Sequence, residues 1–239
     1  MPVRIVIARR FRGPPESGNG GYSCGMLGAL MPGPSEVMLR KPPPLDTPME
    51  IEQRSDGTLA AVHDGATVIE AKPVAVEVDV SIPGAVSLAD AERAAAAFEG
   101  FHNHAFPMCF VCGPEREPGD GLRIFPGELP GGVAAAPWMP DGSLAGEDGL
   151  VYPEMVWAAL DCPTGWATAY AYPDAGIGLL GRMAASLLRP VPAGRPYVAV
   201  SWPAGRDGRK SYAISAIVGE NGEPFAIARA TWIELKEQP

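Results

Sequence analysis

Short stretches of alternating apolar and polar residues recur along this chain and stop repeatedly at Gly, Pro, Asn or Asp. That is the period and punctuation of half-buried strands joined by tight turns. In the first half the pattern predicts strands in MEIEQRSDG, TLAAVHDG and ATVIEAKPV, with turns at Asp56-Gly57 and Asp64-Gly65. In the second it predicts strands in YVAVSW, SYAISAIV and FAIARATWIEL, with turns at Asp207-Gly208 and Asn221-Gly222. Prolines relate the two sets. The segment LRKPPPLDTPMEIE from Leu39 is echoed by LRPVPAGRPYVAVSW from Leu188, and Pro42, Pro44 and Pro48 each stand 148 positions before Pro190, Pro192 and Pro196. Such a repeat predicts one meander built twice.

A short helix is predicted ahead of each meander. The first, YSCGMLGAL, is entered through Ser17-Gly18-Asn19-Gly20-Gly21 and stopped by Pro32-Gly33; the second, PEMVWAALD, has Pro153 at a favourable first position and Pro163 as its stop. Both are apolar on nearly every face, so each is expected to be buried and wrapped by its own meander. Between the halves, SLADAERAAAAFEGFHNHAF reads as a linker helix over Ala89 to Phe98. The expected organisation is therefore residues 1–88 as one unit, 89–105 as linker helix and loop, and 106–239 as a second unit.

Composition changes this picture in three places. The 29 Gly and 27 Pro in 239 residues would suit a disordered chain, but 46% apolar and only 20% charged residues favour a folded, strand-rich protein. The net charge of −9 is concentrated in residues 41–150 and no basic stripe exists, which argues against a nucleic-acid partner. No run is long enough to span a bilayer, and MPVRIVIARRFRG lacks the apolar core of a secretory signal. A cytoplasmic protein is expected, with Cys24, Cys109, Cys112 and Cys162 reduced rather than paired.

An apolar helix enclosed by an antiparallel sheet, duplicated within one chain, resembles the double hotdog, an α+β fold. The stretch CFVCGPEREPGDGLRIFPGEL from Cys109 is similar to the CxxCG…GL lead-in of many hotdog acyl-CoA thioesterase domains. The stretch YPEMVWAALDCPTGWA from Tyr152 resembles their helix motif, HGG followed by an apolar stretch, with a carboxylate nine residues after the His. Here Asp161 lies nine residues after Tyr152. In the first half Asn19-Gly20-Gly21 takes the HGG place and Gly28 takes the place of the acid. The likeness covers about residues 4–72 and 106–235. Neither half has the whole pattern, since Pro153 and Glu154 stand where the second half's glycines belong. The halves are complementary, which implies one composite site, Gly20 and Gly21 facing Asp161, and one degenerate site containing Gly28 and Glu154.

The resemblance implies hydrolysis of an acyl-CoA thioester, with coenzyme A as part of the substrate and no separate cofactor. Backbone amides of Gly20 and Gly21 at a helix start would polarise the carbonyl. Asp161 would be general base or nucleophile, and Glu154 is a second candidate acid whose ordinary role is to favour the helix dipole. Asn19 would orient substrate or cap the helix, while Tyr152, Trp157 and Arg189 are candidate substrate-binding residues. Two other readings share the fold: a non-catalytic acyl-CoA or lipid-binding protein, and an enoyl-CoA hydratase-like enzyme. A homodimer is expected. Independently of the resemblance, His102, His104, Cys109 and Cys112 form H-x-H-x4-C-x2-C, a set of zinc-ligand types at a spacing tighter than familiar fingers. A Ser-His-Asp or Cys-His triad built on Ser23 or Cys24 lacks a nearby histidine in sequence.

Overall fold

The alternating segments pair into one antiparallel sheet in a computed structural model that describes residues 3–74 and 86–236. Positions 75–85 of the expected first unit lie outside the described residues. The strands are β1 (Arg4–Val6), β2 (Ser35–Leu39), β3 (Pro48–Gln53), β4 (Leu59–His63), β5 (Ala66–Pro73), β6 (Gly127–Leu129), β7 (Val133–Trp138), β8 (Gly178–Leu187), β9 (Tyr197–Asp207), β10 (Lys210–Val218) and β11 (Pro224–Glu234). Their order across the sheet is β1-β3-β4-β5-β2-β8-β11-β10-β9-β7-β6. The first half thus occupies one side and the second half the other. The order β3-β4-β5-β2 is answered, in mirror sense, by β8-β11-β10-β9, as the proline repeat requires.

Turn chemistry fixes the hairpins. Asp64 and Gly65 both have positive φ, 49° and 71°, the pair of left-handed residues that a two-residue hairpin loop demands. The halves meet where β2 pairs with β8, with Val37 opposite Met183 and neither side chain exposed to solvent. Apolar burial at that seam makes the sheet continuous; the exposed ends are bridged by Glu36 reaching Lys72 and Arg182.

Two largely buried helices pack against the sheet: α1 (Gly20–Gly28) and, after the linker helix α2 (Leu88–Ala96), the long α3 (Pro153–Ala171). Helix α2 is slightly shorter than Ala89 to Phe98 predicts. A capping box between Ser87 and Asp90 starts it, and Ala91 and Ala94 pack it on the outer sheet face with Val133, Ala135 and Trp202. Phe98 lies beyond it, fully buried in the main core. Helix α3 corrects the expected stop at Pro163, which sits inside it. A proline there removes the N–H that would bond the Ala159 carbonyl, and two hydroxyls bond the carbonyls that follow it. Ser215 Oγ donates to the Leu160 carbonyl at 2.7 Å, and Thr164 Oγ1 donates to the Asp161 carbonyl at 2.6 Å.

The architecture is a double hotdog, α+β, with both central helices enclosed. No described helix is long and apolar enough to cross a membrane.

Candidate functional site

Three glycines bring the helices together. On α1, Gly21, Gly25 and Gly28 share a face by their spacing, and on α3 the residues they meet are Asp161, Glu154 and Trp157. A Cβ on Gly21 would overlap the Asp161 Cβ; one on Gly25 would lie 2.6 Å from the Glu154 Cα, and one on Gly28 2.7 Å from the Trp157 ring. The helix backbones therefore approach closely enough for main-chain groups of α1 to touch side chains of α3.

The closest polar contact is at the start of α1. Gly21 N donates to Asp161 Oδ2 at 2.8 Å, and Asn19 Nδ2 donates to the same oxygen at 3.1 Å. Asn19 also caps α1, its Oδ1 accepting from Tyr22 N at 2.9 Å. Of the two roles expected of Asn19, orienting substrate or capping the helix, the cap is seen, and the same side chain also holds the Asp161 carboxylate. Asp161 is 1% exposed, and its second oxygen, Oδ1, is buried without a hydrogen-bond partner. Burial pushes its carboxyl up to about 7, against the opposing pull of the Gly21 N–H; the nearby Cys109 adds to the rise and the Asn19 amide opposes it.

The expected pair of oxyanion amides needs one revision. Gly21 N–H is committed to Asp161, whereas Gly20 N–H, at the first helical position, has no acceptor among the described residues. Gly20 and Asp161 line a common cavity of about 370 Å³. Its other walls include Asn19, His104, Phe106, Cys109, Cys112, Cys162, Trp166, Leu180 and Trp232. A mostly apolar chamber with few polar groups, of this size, suits a small organic ligand. Trp232 is held by its Nε1 donating to Thr164 Oγ1 at 2.7 Å, and Gly165 on α3 leaves room for its ring.

Other sequence candidates fall elsewhere. Glu154 stands in the first turn of α3 against Gly25, outside the cavity. Trp157 is 3% exposed and covers Gly28, so it fills the second helix-end site instead of lining a substrate channel. Tyr152 is 44% exposed at the start of α3, and Arg189 is exposed with its backbone N bonded to the Phe225 carbonyl. Neither lines the cavity. His102 is exposed and its place beside the other cysteines is taken by Cys162; the sulfurs of Cys109, Cys112 and Cys162 lie within 4.8 Å of one another. All four cysteines are free thiols and buried. His104 lines the cavity but both ring nitrogens are engaged, Nδ1 by the Phe106 N–H at 3.0 Å and Nε2 by Cys112 Sγ at 3.3 Å.

Cys162 is the residue that spacing arguments miss. It adjoins Asp161, but 50 positions separate it from Cys112, and only folding α3 against the CxxC turn joins them.

No protein-family model matches the chain, and no curated protein matches it. Among solved structures, the TesB protein of Mycobacterium avium subspecies paratuberculosis is similar over 93% of this chain and 89% of its own, with a TM-score of 0.62 and 12% identity. A thioesterase superfamily protein matches 47% of this chain and 57% of its own at 18% identity and TM-score 0.44. The PaaI protein of the Escherichia coli phenylacetic acid degradation operon matches 49% and 83% at 14% identity and TM-score 0.44. At these identities the likeness concerns the fold, and the whole-chain match is to a double hotdog.

Proposed function

We propose that this protein is a thioesterase-like hydrolase acting on an acyl-CoA or related thioester, with one active site where the start of α1 meets the middle of α3. The observation that carries the reading is the state of Asp161. One carboxylate oxygen is fixed by Gly21 N–H and Asn19 and the other is buried and unpartnered, and Asp161 lines the same cavity as Gly20, whose N–H has no acceptor among the described residues.

In this mechanism the acyl group occupies the apolar chamber with its carbonyl oxygen towards Gly20 N–H. Asp161 Oδ1 takes a proton from water as the water oxygen bonds to the carbonyl carbon. The negative charge that develops on the carbonyl oxygen is held by the Gly20 amide and the positive end of α1. Collapse of the tetrahedral intermediate breaks the carbon–sulfur bond, and the proton on Asp161 passes to the departing thiolate. Asn19 and Gly21 keep the carboxylate oriented throughout, with Oδ2 as anchor and Oδ1 as the working atom.

The test is steady-state hydrolysis of a panel of acyl-CoAs by the wild-type protein and Asp161→Asn. The asparagine keeps the shape and an oxygen acceptor but loses the base, so kcat/KM is expected to fall by about 10²- to 10⁴-fold. Equal activity in the two proteins would remove Asp161 from the chemistry. Tight binding of a non-hydrolysable acyl-CoA with no turnover of any thioester would replace hydrolysis by binding alone.

A further inference from the structure

Beside the carboxylate, the three sulfurs are arranged in a way that thiol packing does not require. Cys109 and Cys112 sit on the tight turn CFVCG, and Cys162 projects from the middle of α3. The turn is held by Gly113 N donating to the Cys109 carbonyl at 2.9 Å, and a Cβ at Gly113 would come within 2.5 Å of the Cys109 and Pro107 backbones. Cys109 Sγ and Cys162 Sγ are 3.7 Å apart. Tetrahedral zinc with Zn–S bonds of about 2.3 Å sets its sulfur ligands about 3.8 Å apart. A disulfide would need the same atoms at about 2.05 Å.

Each sulfur also faces an N–H group. Asn19 Nδ2 lies 3.8 Å from Cys109 Sγ and 3.7 Å from Cys162 Sγ. The backbone amides of Val111 and Cys112 face the Cys109 sulfur. Because Phe106 N–H donates into His104 Nδ1, the ring proton belongs on Nε2, which points to Cys112 Sγ. Apolar packing of neutral thiols needs no such donors, whereas metal-bound thiolates are characteristically surrounded by them.

We propose that Cys109, Cys112 and Cys162 form a three-thiolate site for a borderline-soft divalent cation, zinc by the chemistry of its ligands, with the fourth coordination position open to the cavity. All three cysteines line that cavity, so a water or a ligand thiolate could complete the tetrahedron. His104 is an outer partner of Cys112 in this arrangement, since its Nδ1 is occupied and its Nε2 carries the proton. Binding releases the thiol protons to solvent and leaves the three thiolates with one cation at net charge −1. The inference stands apart from the hydrolysis reading and is measured without an activity assay.

The full-length protein, purified with reductant and stripped by chelator, is titrated with Co²⁺ and then Zn²⁺. Expected are one Co²⁺ per chain, an intense near-ultraviolet thiolate-to-cobalt band with the visible bands of a tetrahedral site, and their loss on adding Zn²⁺. Cys162→Ser and, separately, Cys112→Ser are expected to lose the charge-transfer band, whereas Cys24→Ala, which removes the fourth cysteine, keeps it. His104→Ala should keep the stoichiometry with affinity weakened by about 10- to 100-fold. The wild-type titration is decisive even if a serine variant fails to fold. Absence of a thiolate band from the folded wild-type protein, or an undiminished band in folded Cys162→Ser, overturns the site.

Discussion

The molecule contains a similar helix-end arrangement twice, and among the described residues one copy borders a cavity while in the other an indole packs against the opposing glycine. At the start of α1, Asn19 caps the helix, Gly20 lines a cavity and Asp161 arrives from α3. At the start of α3 the corresponding positions carry Tyr152, Pro153 and Glu154, and α1 offers Gly28, against which the Trp157 ring is packed. Duplication supplied two frames of similar shape. In one the small residue sits at the helix start and the acid opposite; in the other the small residue sits opposite and an indole occupies the space.

The largest effect expected from breaking this comparison comes from emptying the filled copy. Trp157→Ala removes a 3%-exposed indole from the helix interface and leaves a void over Gly28. A loss of about 3–5 kcal/mol is expected in denaturant unfolding. A loss below about 1 kcal/mol would mean that the ring is not what fills the second site.

Much of this contrast is legible in the sequence because it rests on local or periodic signals. The 148-residue proline repeat locates the duplicated meander and Asp-Gly pairs locate turns, while the nine-residue offset from Tyr152 to Asp161 matches the hotdog thioesterase helix motif, a resemblance that implies the acid opposite the other half's glycines. What is not legible depends on contacts between distant segments. Pro163 reads as a helix stop because the packing that keeps α3 helical through it, including the bond from Ser215 Oγ on β10 to the Leu160 carbonyl, comes from distant segments. Trp157 reads as a substrate contact because nothing local shows that its ring covers Gly28. The cysteine cluster is half visible: CxxC is a sequence motif, whereas Cys162 joins it only through packing.

The open copy is probed next at its free amide. Gly20→Pro removes that N–H at a first helical position, where proline fits the backbone and Asn19, with ψ 136°, already has the conformation that precedes proline. A side chain here meets Leu180 at 2.8 Å, so Gly20→Ala, which has the same encounter but keeps the N–H, is the matched control. Under the proposed mechanism Gly20→Pro is expected to lower kcat by about 10²- to 10³-fold relative to Gly20→Ala. Equal rates in the two variants would mean that the carbonyl oxygen lies elsewhere.

The smallest expected effect compares the two helix starts directly. Asn19→Ala removes the cap of α1 and one of two donors to a buried carboxylate oxygen. A cap is worth about 1 kcal/mol, and a buried acceptor deprived of one donor adds a cost of similar size, so about 2 kcal/mol is expected from unfolding curves. Tyr152, at the equivalent position of α3, makes no side-chain capping bond and is 44% exposed. Tyr152→Ala should therefore stay within about 0.5 kcal/mol of wild type. The contrast follows from what each residue faces: Asn19 looks into a buried polar centre that needs its amide, whereas Tyr152 looks into solvent beside a site that Trp157 has closed. Comparable losses in both variants would mean that the starts of the two helices are energetically alike, and the asymmetry would then belong to the cavity alone.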